Sequence, residues 1–85
     1  MDEKAVLILI RTIADLALFL EFTDAERLDE DASVEALEQM ASGLQDLNRG
    51  DKETVTRLFQ AAAKAYPDSE SRTYVASLPE AFDLI

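Results

Sequence analysis

Apolar residues recur along this chain at spacings of three and four, with no strand-length alternation, so the pattern predicts helices throughout. The first predicted helix runs from about Lys4 to Phe22. Leu9, Ile10, Ile13, Leu16, Ala17 and Leu20 share one face, and Lys4, Arg11 and Asp15 lie opposite; Ile8, Leu18 and Phe22 fall on or near that polar side. A helix apolar nearly all round is either enclosed by its neighbours or partly turned toward another molecule. A polar stretch, Thr23–Asp31, follows. The second helix is predicted from Asp31 or Ala32, with Asp31 as N-cap and Glu35 in the first turn, where a negative charge suits the helix dipole. Its apolar stripe is Val34, Leu37, Met40, Ala41, Leu44 and Leu47. Gly43 costs this helix about 1 kcal/mol relative to Ala and is read as permitting close packing.

Asn48-Arg49-Gly50 is read as the end of the second helix, with Gly50 in a left-handed cap. Asp51 then caps a third helix carrying Val55, Leu58, Phe59, Ala62 and Tyr66, and Pro67 stops it by disfavouring helical geometry in the preceding residue. Asp68 or Ser69 begins a fourth helix with Tyr74, Val75 and Leu78. Pro79 suits the first turn of a last short helix containing Phe82. Short connections favour antiparallel neighbours. The expectation is one all-α domain, residues 1–85: a small antiparallel helical bundle of three main helices plus a short C-terminal helix.

At 85 residues such a domain buries only about 60–65% of its unfolded surface, which leaves little room for a deep substrate cavity beside a core. The chain has no His and no Cys. That removes the usual neutral-pH general base, the Ser-His and Cys-His nucleophile pairs, the thiolate zinc ligands and any disulfide framework. The expectation is a binding protein with no cofactor and no metal, although carboxylate-only or lysine-based catalysis stays chemically open. The apolar run Ala5–Phe22 is preceded by an acidic start, Met1-Asp2-Glu3-Lys4, and interrupted by Arg11 and Asp15. It reads as a core helix rather than a signal or a membrane span, and the protein is expected to be cytosolic.

Eighteen acidic residues against eight basic ones give a net charge of −10. The excess is concentrated: Glu21, Asp24, Glu26, Asp29, Glu30, Asp31, Glu35 and Glu38 face Arg27 alone, a net −7 over residues 21–38. These residues should share one end of the bundle, attracting cationic surfaces and repelling nucleic acid. Helix capping accounts for Asp31 and Glu35 but not also for Asp24, Glu26, Asp29 and Glu30, which read as a binding surface or, alternatively, as a solvated face that keeps the protein soluble. A calcium loop needs glycine at its sixth position and Glu at its twelfth. Starting at Asp24 puts Asp29 at six; starting at Asp29 puts Val34 at six and Met40 at twelve. The eight basic residues are scattered among acids, so phosphate contacts are not expected. Tyr66, beside Pro67-Asp68 at a helix end, is the first aromatic candidate for an interface anchor.

In length, acidity and helix count the chain resembles the immunity proteins of nuclease colicins, four-helical acidic proteins that bind basic nuclease domains. Of their tyrosine-tyrosine-proline motif only Tyr66-Pro67 has a counterpart here. The runs Leu18-Phe19-Leu20-Glu21-Phe22-Thr23-Asp24, Ala36-Leu37-Glu38-Gln39-Met40-Ala41 and Leu78-Pro79-Glu80-Ala81-Phe82 resemble small proteins found beside Rhs-type and other polymorphic secreted toxin genes. What the resemblance implies is an immunity protein that neutralises a cognate toxin, with a basic toxin domain as partner. The acidic residues and Tyr66 are the expected contact surface, with neither nucleic acid nor membrane as partner. Two other readings are open: a nucleic-acid mimic that inhibits a defence nuclease, and a self-associating adaptor whose homodimer face is Ile8, Leu18 and Phe22 on the first helix.

Overall fold

The computed structural model describes residues 2–24 and 26–85. It contains four helices: α1 (Glu3–Phe22), α2 (Glu30–Leu44), α3 (Arg49–Ala63) and α4 (Ser69–Ala81). Three of them start on a side-chain cap that satisfies a first-turn N–H lacking a helical partner. Ala5 N–H donates to Asp2, Asp51 N–H to Asn48 and Ser71 N–H to Asp68, each at 2.8 Å. The Ser71 bond also holds the Asp68 carboxyl below the usual carboxylate range.

The helices form an all-α, bundle-like packing. Leu20 and Glu21 share a groove with Ser33 and Val34, while Val6 shares one with Leu47, so α2 runs back along α1. Arg57 pairs with Glu3 at 2.7 Å, and farther along Tyr66 donates to Asp15, so α3 runs in the direction of α1. Gln60 and Ala63 lie beside Arg72 and Ala76, which makes α4 the antiparallel partner of α3. The core is centred on the α3–α4 pair: Val55, Leu58, Phe59, Ala62 and Ala63 with Val75, Leu78, Phe82 and Leu84, closed from one side by Ile10, Ala14 and Ala17 of α1. By contrast, the only fully buried residue of α2 is Ser33; Leu37, Met40, Ala41 and Leu44 are half-buried. Gln45 clips the far end of α2 by donating to the carbonyls of Phe82 and Asp83, at 2.6 and 2.9 Å.

Several boundaries differ from expectation. The second helix begins at Glu30, with Asp29 rather than Asp31 at the N-cap, and Glu35 lies beyond the first turn. Asn48 caps α3 in place of Asp51, so Gly50 is helical with negative φ, not a left-handed cap. Gly43 makes no close approach, since a Cβ there would meet nothing within 4 Å. The side of α1 that faces the core is also rotated from the expected one. Leu9 and Leu16 are exposed, and the buried line is Ile10, Ala14 and Ala17. The two alanines let helix backbones approach closely, which outweighs the greater apolar area of the two leucines.

Pro79 starts no separate helix. It sits in the last turn of α4, which ends in a motif that ties off its final carbonyls. Asp83 N–H donates to Glu80 O at 3.0 Å and Leu84 N–H to Pro79 O at 2.8 Å. Asp83 takes the left-handed position, φ 58°, where glycine is the usual residue, and Leu84 and Pro79 are both buried beside it.

Two substitutions with opposite glycine logic test this backbone. Asp83→Gly relieves the left-handed strain and is expected to stabilise by about 0.5–1 kcal/mol. Gly43→Ala, in open helical space, is expected to stabilise by about 0.5–1 kcal/mol. Urea midpoints of the two variants against the parent read both.

Candidate acidic interaction surface

The loop between α1 and α2 is built to display charge. Thr23 ends α1 by donating its N–H to Phe19 O at 3.1 Å, and Asp24 then organises the turn. The Asp24 carbonyl accepts from the N–H groups of Arg27 and Leu28, and its carboxylate accepts from the Arg27 N–H, all at 3.1 Å. Leu28 turns inward and lines the groove between the helices with Leu20, Val34 and Leu37. With that apolar side chain placed inside, the neighbouring polar ones are left on the surface. Asp29 accepts from the Ser33 N–H and hydroxyl through its backbone carbonyl, while its carboxylate makes no capping bond.

All eight carboxylates of the acidic run are exposed. Among the described residues the ion pairs are Glu3–Arg57 and Arg49–Glu53, both elsewhere, so none of the eight is paired. Glu30 and Asp31 sit in the first turn of α2, where the positive end of the helix favours them. Asp31, Glu35 and Glu38 follow at i, i+4 and i+7 and form one stripe along α2. Glu21 joins from α1. It shares one groove with Glu30 and a second, of 370 Å³, with Glu38. The second groove has an apolar floor of Leu37, Leu78 and Phe82, and Tyr74 forms part of its wall. Burial raises the Tyr74 hydroxyl above its ordinary pKa, and the Glu21 charge adds to the rise.

The structure therefore brings Glu21, Glu30 and Glu38 around the two grooves, with Asp24, Glu26, Asp29, Asp31 and Glu35 on the surrounding loop and helix surface. Tyr66 is not among them. It follows α3 beside the middle of α1, where its hydroxyl donates to Asp15. Burial, then the Asp15 hydrogen bond, pushes its pKa up to about 12.

The two apolar residues at this end of the molecule had different expected places. Val34 belongs to the predicted core stripe of α2, yet it is half exposed between the two grooves. Phe22, half exposed, meets Tyr74 edge-on with ring centroids 5.4 Å apart. The proximity of Val34 to Glu21 comes from the α1–α2 turn, which periodicity within a single helix does not report. Among the described residues no cluster of potential metal ligands is formed, and no helix is long and apolar enough to cross a membrane. Comparison of the chain with protein-family models, curated proteins and solved structures gives no match.

The Tyr66–Asp15 bond has a signed pH dependence. The folded state holds the phenol protonated, so its contribution is complete below the unfolded pKa of about 10 and is lost as pH rises toward about 12. Denaturant midpoints should fall across that window in the parent and fall less in Tyr66→Phe.

Proposed function

We propose that this chain is an immunity-type inhibitor that binds a basic domain of a partner protein, a toxin neutralised by occlusion, through the acidic end formed by α1, its following loop and α2. The observation that carries the reading is the set of eight exposed, unpaired carboxylates, of which Glu21, Glu30 and Glu38 flank half-exposed Val34 at the two grooves. A solubilising surface needs charge but no apolar centre. A recognition surface combines an apolar centre, which supplies affinity on desolvation, with charges around it that select and steer the partner. Two of the carboxylates, Glu30 and Asp31, also stabilise the helix that presents them. The remaining acids repel one another in the free protein, and a cationic partner relieves that repulsion.

The chemistry follows from the charge. A toxin acting on a phosphate substrate presents a cationic site, and a −7 segment is steered to it over distances set by the ionic strength. The bound carboxylates then stand where phosphates would, so occlusion requires no reaction and no cofactor.

The test is affinity capture with the native chain beside a Glu26→Lys/Glu35→Lys/Glu38→Lys variant. These three residues serve as neither caps nor hydrogen-bond partners, so the variant should fold, as circular dichroism will check. The native chain is expected to retain a basic domain and inhibit its activity. The variant should associate with it at least about tenfold more slowly. Raising salt should slow the native association toward the variant's rate. Equal retention by both baits, with equal salt slopes, would remove the acidic end from the interface.

A further inference from the structure

We infer that the exposed apolar stripe of α1 is a self-complementary surface on which a second copy of this chain docks antiparallel, with its two-fold axis at Thr12. The stripe consists of Ile8, Leu9, Leu16 and Phe19, which leave 59, 49, 50 and 56% of their surfaces open. It differs from the dimer face expected from periodicity, because Leu18 packs against the core and Phe22 packs on Tyr74.

Three observations identify the occupant as another copy. The first is spacing. About Thr12, Ile8 and Leu16 lie four residues to either side, and Ala5 and Phe19 lie seven. A two-fold axis at Thr12 therefore sets Ile8 against Leu16 of the second copy and Ala5 against its Phe19. An isologous interface has to be complementary to itself, and this arrangement sets two aliphatic side chains of equal size together at one level and small Ala5 against large Phe19 at the other.

The second is charge. The molecule carries −10, yet Glu3–Leu20 of α1 holds two acids, Glu3 and Asp15, and two bases, Lys4 and Arg11. Apart from Asp68 and Glu70, which share a groove with Phe19 at one end of the stripe, this is a face on which two such molecules can meet without opposing like charges. Arg11 and Asp15 lie one turn apart on the same flank of the stripe, so the axis at Thr12 brings each Arg11 toward the Asp15 of the other copy. The antiparallel arrangement also sends the two −7 segments to opposite ends of the dimer and opposes the helix dipoles. A basic partner would find its complement at the acidic end and not here.

The third is area. Four large side chains about half open give an apolar patch on the order of 400 Å². Two patches with their flanks bury on the order of 1,000 Å², the lower limit of a specific interface. The expected dimer is therefore weak and reversible.

The chain has no cysteine, so an introduced thiol reports position without interference. Sedimentation velocity of the native chain up to about 500 μM should show a reversible monomer–dimer equilibrium of the strength this interface size implies. Added salt should tighten it, because salt screens the mutual repulsion of two −10 molecules. This trend is opposite to that expected for a basic partner at the acidic end, so either idea can fail without the other. Leu16→Lys should weaken the dimer by about 30-fold or more. Thr12→Cys should crosslink under mild oxidation far faster than Gln60→Cys, which is also exposed but on α3. A native chain that stays monomeric throughout would overturn the inference. So would a dimer indifferent to Leu16→Lys, or equal crosslinking at the two cysteines. Loss of a captured basic domain on Leu16→Lys, with no dimer at any concentration, would assign the stripe to that partner instead.

Discussion

A phenylalanine with no exposed surface lies between α3 and α4. Phe59 meets the ring of Phe82 at 6.1 Å and shares its core with Val75 and Leu78, both fully buried. Burial of such a side chain contributes about 1.5–3 kcal/mol, and truncating it also leaves a cavity. The other helices depend on this pair. α1 lays its two buried alanines and Ile10 on the surface that α3 and α4 create, and α2 is added outside α1 with only Ser33 fully covered. A chain this small has enough apolar surface for one dense layer. Spending it on α3 and α4 leaves α1 with one face uncovered and α2 lightly attached.

That distribution links the fold to both proposed surfaces. The uncovered face of α1 is apolar because a long apolar helix is inserted into a core that uses only one side of it. The acidic end is charged because the α1–α2 connection turns Leu28 inward and its neighbours outward. The two proposed surfaces lie along one helix, neutral through most of its length and acidic where it ends. The Glu3–Arg57 pair near the start of α1 is exposed and contributes to register more than to strength.

Much of the architecture was legible in the sequence. Four helical segments, the start of α4 at Asp68 and the core residues Val55, Leu58, Phe59 and Ala62 all follow from period and turn chemistry, whereas α3 ends at Ala63, short of the expected stop at Pro67. The face of α1 did not follow. When nearly every direction around a helix is apolar, period cannot choose among them; the choice is made by how closely backbones approach, and Ala14 and Ala17 carry that information through their small size. The caps between α2 and α3 were misplaced because Asn48 and Asp51 are both competent, and only the full turn shows that Asp51 donates to Asn48 rather than starting the helix itself. The acidic run was legible as charge. The association of Glu21 with Val34 was not, because it depends on how two helices meet. Tyr66 was legible as a helix-end aromatic, whereas its bond to Asp15 depends on a contact 51 residues away in the chain.

The Gln45 clip has a mechanical consequence. Its side-chain amide holds two carbonyls at the end of α4 and receives a hydrogen bond from Lys52 at 3.0 Å, so one end of α2 is moored by three hydrogen bonds. The opposite end rests on the half-buried Leu28 and Leu37 beside two grooves. The two ends of α2 are therefore held differently: the far end by hydrogen bonds to the α4 terminus, the acidic end by the packing of Ser33, Leu28 and Leu37. A pull on the acidic end works against side-chain packing on α1, and a pull on the far end against directional hydrogen bonds to α4.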